Sequence, residues 1–557
     1  MEADRMRPSR RDLLAALLGV PAAFAAGCST SRAPDFPDGE LVGPSVDFGH
    51  RLRDRASPKP KDDQWQTVPV VIVGGGIAGL AAAWQFERAG FHDYILLELE
   101  PELGGTARSG SGKNGPFPWG AHYVPAPLAH HRLMIELLSD MGLVNGIEAD
   151  GTPMLSETAL CRDPHERIFY RGRWYEGLYL HVGQTPEDVR QLQAFHAEVD
   201  RWVTWRDGRG RRAFTLPAAL SSDDPIVTEL DRESMANWMD RNGFTSSRLR
   251  WLIDYACRDD YGATAEQVSA WAGLFYFVAR LRRPGAEAQP LLTWPEGNGR
   301  LVRFLADRAK PRLRPGWAAS EIIPTGGDAK SHIDIVAVSH DEQICGYRAE
   351  RVIFAAPQFV SKYVVRDYRG QPPAHLTEFE YGAWMVANLH LRDRPAEVGA
   401  EMAWDNVLVE SPALGYVVNT HQQGRDHGPT TFTYYYALCD ADPRQARNRL
   451  LQAGWCEWAD VALTDLTTAH ADIRAQVERI DIMRWGHAMV RPKPGFIWSE
   501  ARRKAALPYR GIHFASADLS GLALFEEALY HGVRAANEVL AWREAIRKSL
   551  RSGPGGS

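Results

Sequence analysis

The first sustained apolar pattern of the folded region lies in "VPVVIVGGGIAGLAAAWQFERAGFHDYILLELE". Val70 to Val73 form a continuous β-branched run, which predicts a strand buried on both faces. Ile77, Leu80, Ala81 and Trp84 then recur at helical spacing, and Gly90 ends the helix. Tyr94 to Leu97 form a second strand, closed by Glu98. Residues 125–289 are rich in helical periods, as in "QLQAFHAEVDRWVTW" and "SMANWMDRNGF". Residues 361–480 alternate strand-like runs ("AWMVANLHL", "TTFTYYYAL") with a helix near 443–462. The chain closes on a strand, Ile512 to Ala515, and an alanine-rich helix. The longest apolar stretch, residues 13–26, contains Gly19 and Pro21 and is too short to span a bilayer.

Between the first strand and helix, Gly74, Gly76 and Gly79 make G-x-G-x-x-G. Gly74 permits the tight turn, Gly76 leaves bare backbone for a pyrophosphate, and Gly79 lets helix and strand pack closely. The helix start at Ile77 and Ala78 offers N–H groups to phosphates. Glu98, 19 residues after Gly79, is placed to accept hydrogen bonds from a ribose diol. A glycine-rich turn of any α/β protein is the plainer alternative, but strand, helix and acid together favour a dinucleotide. NAD and FAD share this pattern.

The following "LELEPELGGTARSG" separates them. With Gly104-Gly105 close behind Glu98, the chain resembles the flavin amine oxidase superfamily, which also holds phytoene-type desaturases and protoporphyrinogen oxidase. The family often has Arg directly after the glycine pair; here Thr106 and Ala107 precede Arg108. "PFPWGAHYV", "SEII", "ERVIFAAP" and the C-terminal "ASADLSGLALFEEALYHGVRAA" resemble further segments of the family. The resemblance implies tight, non-covalent FAD, with contacts at Leu99, Thr106, Ala107, Gly120, Ala121, Ile322, Ala355, Trp485, Asp518, Leu524, Phe525 and Ala528 beside the glycine-loop residues and Glu98. It implies an α/β fold: a discontinuous Rossmann-like FAD domain (67–124, 290–360, 480–545) and an inserted mixed-sheet and helical substrate domain (125–289, 361–479), with a disordered tail at 546–557.

The substrate side departs from the family. Val386 stands where many amine oxidases carry a lysine, and Leu524 replaces an aromatic tyrosine. Catalytic candidates are His122, Trp384, Trp485 and His487, each with an ordinary packing role as its alternative. Three functions follow: hydride removal from an amine, polyamines included, with oxygen or a quinone as acceptor; desaturation of an apolar C–C bond; or flavin-stabilised binding without turnover.

The N-terminus decides where this happens. Ser9-Arg10-Arg11-Asp12-Leu13-Leu14 resembles the twin-arginine export consensus, which exports proteins already folded. Ala25-Ala26-Gly27-Cys28 resembles a lipobox, implying a lipid anchor on Cys28, a periplasmic location and contact with the export machinery. Ala23-Phe24-Ala25 offers a rival cleavage site without lipid. Residues 29–66, polar and without periodicity, read as a flexible tether. A net charge of -6 gives no footprint for nucleic acid. The six cysteines lack metal-site spacing, so no metal is expected.

Overall fold

Five parallel strands carry the cofactor side, in the order Leu313–Pro315, Tyr94–Glu98, Val70–Val73, Arg351–Phe354, Ile512–Phe514. The structure is a computed structural model and describes residues 36–54, 57–326 and 332–551. The β-branched run is apolar at every position because both faces of the sheet are covered. Val70 and Ile72 pack with the Ile77–Arg88, Gly299–Ala309 and Phe525–Arg551 helices. Val71 and Val73 pack on a second sheet of Trp317–Pro324, Ile333–Ser339, Ile344–Ala349 and Trp65–Thr67. The C-terminal helix lies on the Ile77–Arg88 helix so closely that a Cβ on Gly532 would stand 2.2 Å from the Ala78 carbonyl oxygen.

An eight-stranded mixed sheet forms the other half. Its order is Asp38–Val42, Val477–Val490, Tyr381–Leu391, Thr430–Ala437, Tyr416–Val418, Asp405–Leu408, Glu166–Tyr170, Arg173–Glu176. The helices Pro186–Thr204, Met235–Arg241, Ser247–Tyr261 and Ala270–Val278 build a separate aromatic core beside it.

Three expectations change. The tether assigned to residues 29–66 is folded from Asp38 onward. Asp38–Val42 pairs in parallel with Arg479–Met483, and the Ser45 amide and hydroxyl both donate to the Glu100 carboxylate. Phe48, on the Val46–Asp54 helix, is buried against Ala318 and Val338. The boundary expected at 480 falls inside the long Val477–Val490 strand, which belongs to the substrate-side sheet. The tail expected at 546–557 is helical as far as Arg551. Arg10, Arg11 and Cys28 lie outside the described residues.

Candidate active site

The four glycines at 74, 75, 76 and 79 do different work. A Cβ on Gly74 would meet the Ala355 carbonyl at 2.9 Å, and one on Gly79 would meet the Gly74 carbonyl oxygen at 1.9 Å. One on Gly75 would meet Leu103 at 2.5 Å. Only Gly76 faces open space, with nothing within 4 Å. It is the N-cap of the Ile77–Arg88 helix and makes no side-chain cap. The second glycine pair is laid against this opening, since Gly104 bridges to Gly76 and a Cβ on Gly105 would lie 3.5 Å from the Gly76 Cα. Glu98 accepts from the Gly75 amide (2.5 Å) and the Glu100 amide (2.8 Å), leaving one lone pair on each oxygen.

Beyond the loop, the Ala121 amide donates to the Thr106 carbonyl, which joins the glycine-pair segment to Gly120-Ala121. These residues open onto a cavity of about 140 Å³. Its walls are His122, Trp384, Val386, Tyr435 and Trp485 from the sheet side, Asp259 from the Ser247–Tyr261 helix, Arg280 from the turn after the Ala270–Val278 helix, and Leu524, Phe525 and Glu526 from the C-terminal segment. The His122 and Tyr435 rings stack with centroids 4.6 Å apart, and the Trp485 indole N–H donates to the Trp119 carbonyl.

Comparison with known proteins places this geometry. The family model described as flavin containing amine oxidoreductase matches residues 77–540. The chain belongs to that family. A putative flavin-containing monoamine oxidase of Mycobacterium tuberculosis (strain H37Rv) is 29% identical over 207 residues, 36% of this chain and 39% of that protein. A probable flavin-containing monoamine oxidase A of Dictyostelium discoideum is 24% identical over 229 residues, 39% and 41% of the two chains. The matches thus span about two fifths of these relatives. Among solved structures, putrescine oxidase bound to putrescine superposes with a TM-score of 0.62 at 13% identity, over 86% of this chain and 100% of that one. A conjugated-linoleic-acid-producing fatty acid isomerase from P. acnes superposes at 0.59 and 15% identity, over 86% and 99%. The shared fold therefore hosts more than one chemistry.

A flavin follows from the family, and the site suits FAD. The uncapped helix start and the open face at Gly76 fit a pyrophosphate, and the spare acceptor sites of Glu98 fit a ribose. Thr106, Gly120, Ala121, Trp485, Leu524 and Phe525 meet at the cavity. Gly74, Gly79 and Ala355 shape the turn, while Ile77, Ala78 and Ala528 belong to the two packed helices. Asp518 is buried away from the cavity and accepts from the Gln358 amide and the Tyr381 hydroxyl. Ile322 is fully buried in the second sheet, and Leu99 packs beside Phe48. Ala107 is buried beneath the glycine pair.

Of the four catalytic candidates, His122, Trp384 and Trp485 line the cavity and His487 does not. A bulge in the pairing sets Gly382 opposite Met489 but Trp384 opposite Trp485. The extra residues turn His487 outward, onto the Phe359 ring at 4.3 Å. Burial pushes the His122 imidazole down to about 4, so it is neutral at neutral pH. Among the described residues no lysine lines the cavity, in keeping with Val386.

The sequence reading missed the cavity's charged groups. Asp260 pairs with Arg280 through both carboxylate oxygens (3.1 and 2.8 Å) and accepts from the Tyr123 hydroxyl. Among the described residues, the carboxylate of its neighbour Asp259 accepts no hydrogen bond and forms no ion pair. Burial, then the Asp260 charge, raises the Asp259 carboxyl to about 7. Burial raises Glu526 to about 7 as well. Two adjacent acids in the aromatic stretch "YACRDDYG" were the available signal.

Proposed function

We propose that this chain is an FAD-dependent oxidoreductase of a cationic amine. Asp259 carries the reading. A carboxylate with no partner among the described residues, facing an aromatic cavity, is costly against an apolar ligand and favourable against an ammonium. FAD supplies a two-electron acceptor for the C–H bond beside nitrogen. The protein's part is to bind, orient and dry the amine. Trp384, Tyr435 and Trp485 wall the carbon end, and Asp259 draws the nitrogen. A carboxyl poised near neutrality also takes the ammonium proton, leaving the uncharged amine that hydride donation requires. Oxygen or a quinone takes the electrons in this proposal. Export by the twin-arginine route and a lipid on Cys28 complete it, because a folded export substrate carries its cofactor with it.

Anaerobic rapid mixing of the purified flavoprotein with amines tests the reading. Flavin bleaching by amines, slowed in Asp259→Asn, is expected. Bleaching only by non-amine reductants would favour desaturation, and no bleaching by any substrate would favour a binding protein.

A further inference from the structure

A second polar cluster stands at the start of the Arg132–Asp140 helix, outside the flavin-side cavity. His131 is the N-cap of this helix, yet its side chain does not cap it. Its Nδ1 accepts instead from the Leu128 amide, at 3.1 Å. Burial first, then His130 and Arg212, push the His131 imidazole well down, so it is neutral at neutral pH. A neutral imidazole that accepts at Nδ1 carries its proton on Nε2. His131 Nε2 is therefore an N–H donor on a residue only 5% exposed, and it has no acceptor among the described residues. The His130 ring stands edge-on to it at 4.3 Å, and its Nε2 is enclosed and without a partner as well. Buried donors left unmade are costly, so two in contact call for an acceptor.

Two arginines complete the cluster. Arg206 and Arg212 face each other across a β-bridge, and both lie close enough to His130 for their charge to bear on it. Their guanidiniums donate to backbone carbonyls alone: Arg206 to Val203 and Trp205, Arg212 to Phe214, Val278 and Leu281. Carbonyls satisfy the donors and leave the charge unbalanced. Among the described residues neither arginine forms an ion pair, and no carboxylate bears on His130, His131 or Arg212. The helix start adds to the excess. Its first turn contains no acid and opens on Arg132, whose charge has the wrong sign for the positive end of a helix dipole. In a chain of net charge -6, this is a concentration of positive charge and unused donors around one point.

We propose that His130, His131, Arg206 and Arg212, with the first amides of the Arg132–Asp140 helix, form a binding site for an oxyanion of the phosphate class. The helix amides and His131 Nε2 give directed donors, and the guanidiniums give charge. A tetrahedral oxyanion has acceptor oxygens for both at once, which a halide lacks. Arg206 is exposed and His130 half-buried, so the site is reached from the protein surface. It is a different helix start from the one at Gly76 that suits the FAD pyrophosphate. Inorganic phosphate and the phosphate of an anionic lipid headgroup share this chemistry. The site does not depend on the amine reading above.

The experiment is calorimetric titration of FAD-loaded holoprotein with inorganic phosphate, beside chloride at equal ionic strength. Wild type should bind phosphate at a single site, with no comparable binding of chloride. Arg206→Gln, at an exposed position, should weaken phosphate binding about tenfold or more, the loss of one charge-assisted hydrogen bond. Arg206→Lys keeps the charge and should recover most of the affinity. His131→Phe should also weaken binding; because it leaves the Leu128 amide unpaired, the Arg206 variants decide if it does not fold. A second arm uses vesicles of phosphatidylglycerol and of phosphatidylcholine with Cys28→Ser protein, so that no lipid anchor contributes. Binding to phosphatidylglycerol that phosphate competes away and Arg206→Gln loses would support the site and assign it to a headgroup. Phosphate binding without vesicle binding would support it and assign it to the free ion. Phosphate bound no better than chloride, or equally well by Arg206→Gln, would overturn the site.

Discussion

Gly76→Ala separates cofactor binding from folding. The added Cβ meets nothing within 4 Å, and the backbone there (φ -72°, ψ -175°) is one that alanine adopts freely. Alanine is a poorer N-cap than glycine by roughly 0.5–1 kcal/mol, and it recovers about 0.4–1 kcal/mol by restricting the unfolded chain. The apoprotein should therefore unfold within a degree or two of wild type. FAD should suffer, because the methyl occupies the face that the pyrophosphate must approach. Losing two charge-assisted hydrogen bonds at about 1.5–3 kcal/mol each lowers affinity roughly 10²–10⁴-fold. Gly79→Ala inverts the pattern. Its Cβ would stand 1.9 Å from a backbone oxygen that no rotamer can move. Overpacking of this kind costs about 1–3 kcal/mol or more, so the apoprotein itself should lose several degrees. The assay is differential scanning of deflavinated protein beside calorimetric titration with FAD. Gly76→Ala binding FAD within tenfold of wild type, or Gly79→Ala apoprotein as stable as wild type, would refute the assignment.

Asp259→Asn keeps shape and removes charge, so KM for a cationic amine should rise about 10- to 150-fold, the equivalent of 1.5–3 kcal/mol, as read from steady-state kinetics. Because the Asp259 carboxyl is raised to about 7, its anion forms as pH climbs through neutrality; amine affinity should strengthen across about pH 6–8 in wild type. Glu526, raised to the same range, shares that limb, so Asp259→Asn should flatten it and only the double variant with Glu526→Gln abolish it. Replacing Arg10 and Arg11 by Lys should leave holoprotein in the cytoplasm, and Cys28→Ser should permit export but release the protein from membrane. Cell fractionation with mass spectrometry of the mature N-terminus reads both; membrane retention of Cys28→Ser would point to another anchor.

What could be read in advance was what is local. The Val70–Val73 strand, the glycine loop and Glu98 fit within 29 residues, and each carries its own reason for its residue type. The C-terminal helix announced itself through Gly532 and Ala535-Ala536, small because another helix lies against them. What escaped depends on distant partners. Asp38–Val42 is half exposed, with only a weak apolar pattern of its own, and becomes a strand because residues 479–483 offer it an edge. His487 shares strand parity with Trp485, and a bulge that no pattern shows turns it away. Asp259 looks like the polar end of a helix until the sheet beneath it is in place.

The Asp38–Val42 strand has a kinetic consequence. Its first residue bonds to Arg479, 441 positions later. At synthesis rates of about 5–20 residues per second, the earliest strand of the body waits roughly 20–90 s for its partner. Its docking is thus among the last events of folding, coming only when the sheet that walls the cavity is complete. On the export route proposed above, a receptor that engages the chain's beginning would meet, in this strand, a clock that stops only when the far end has folded.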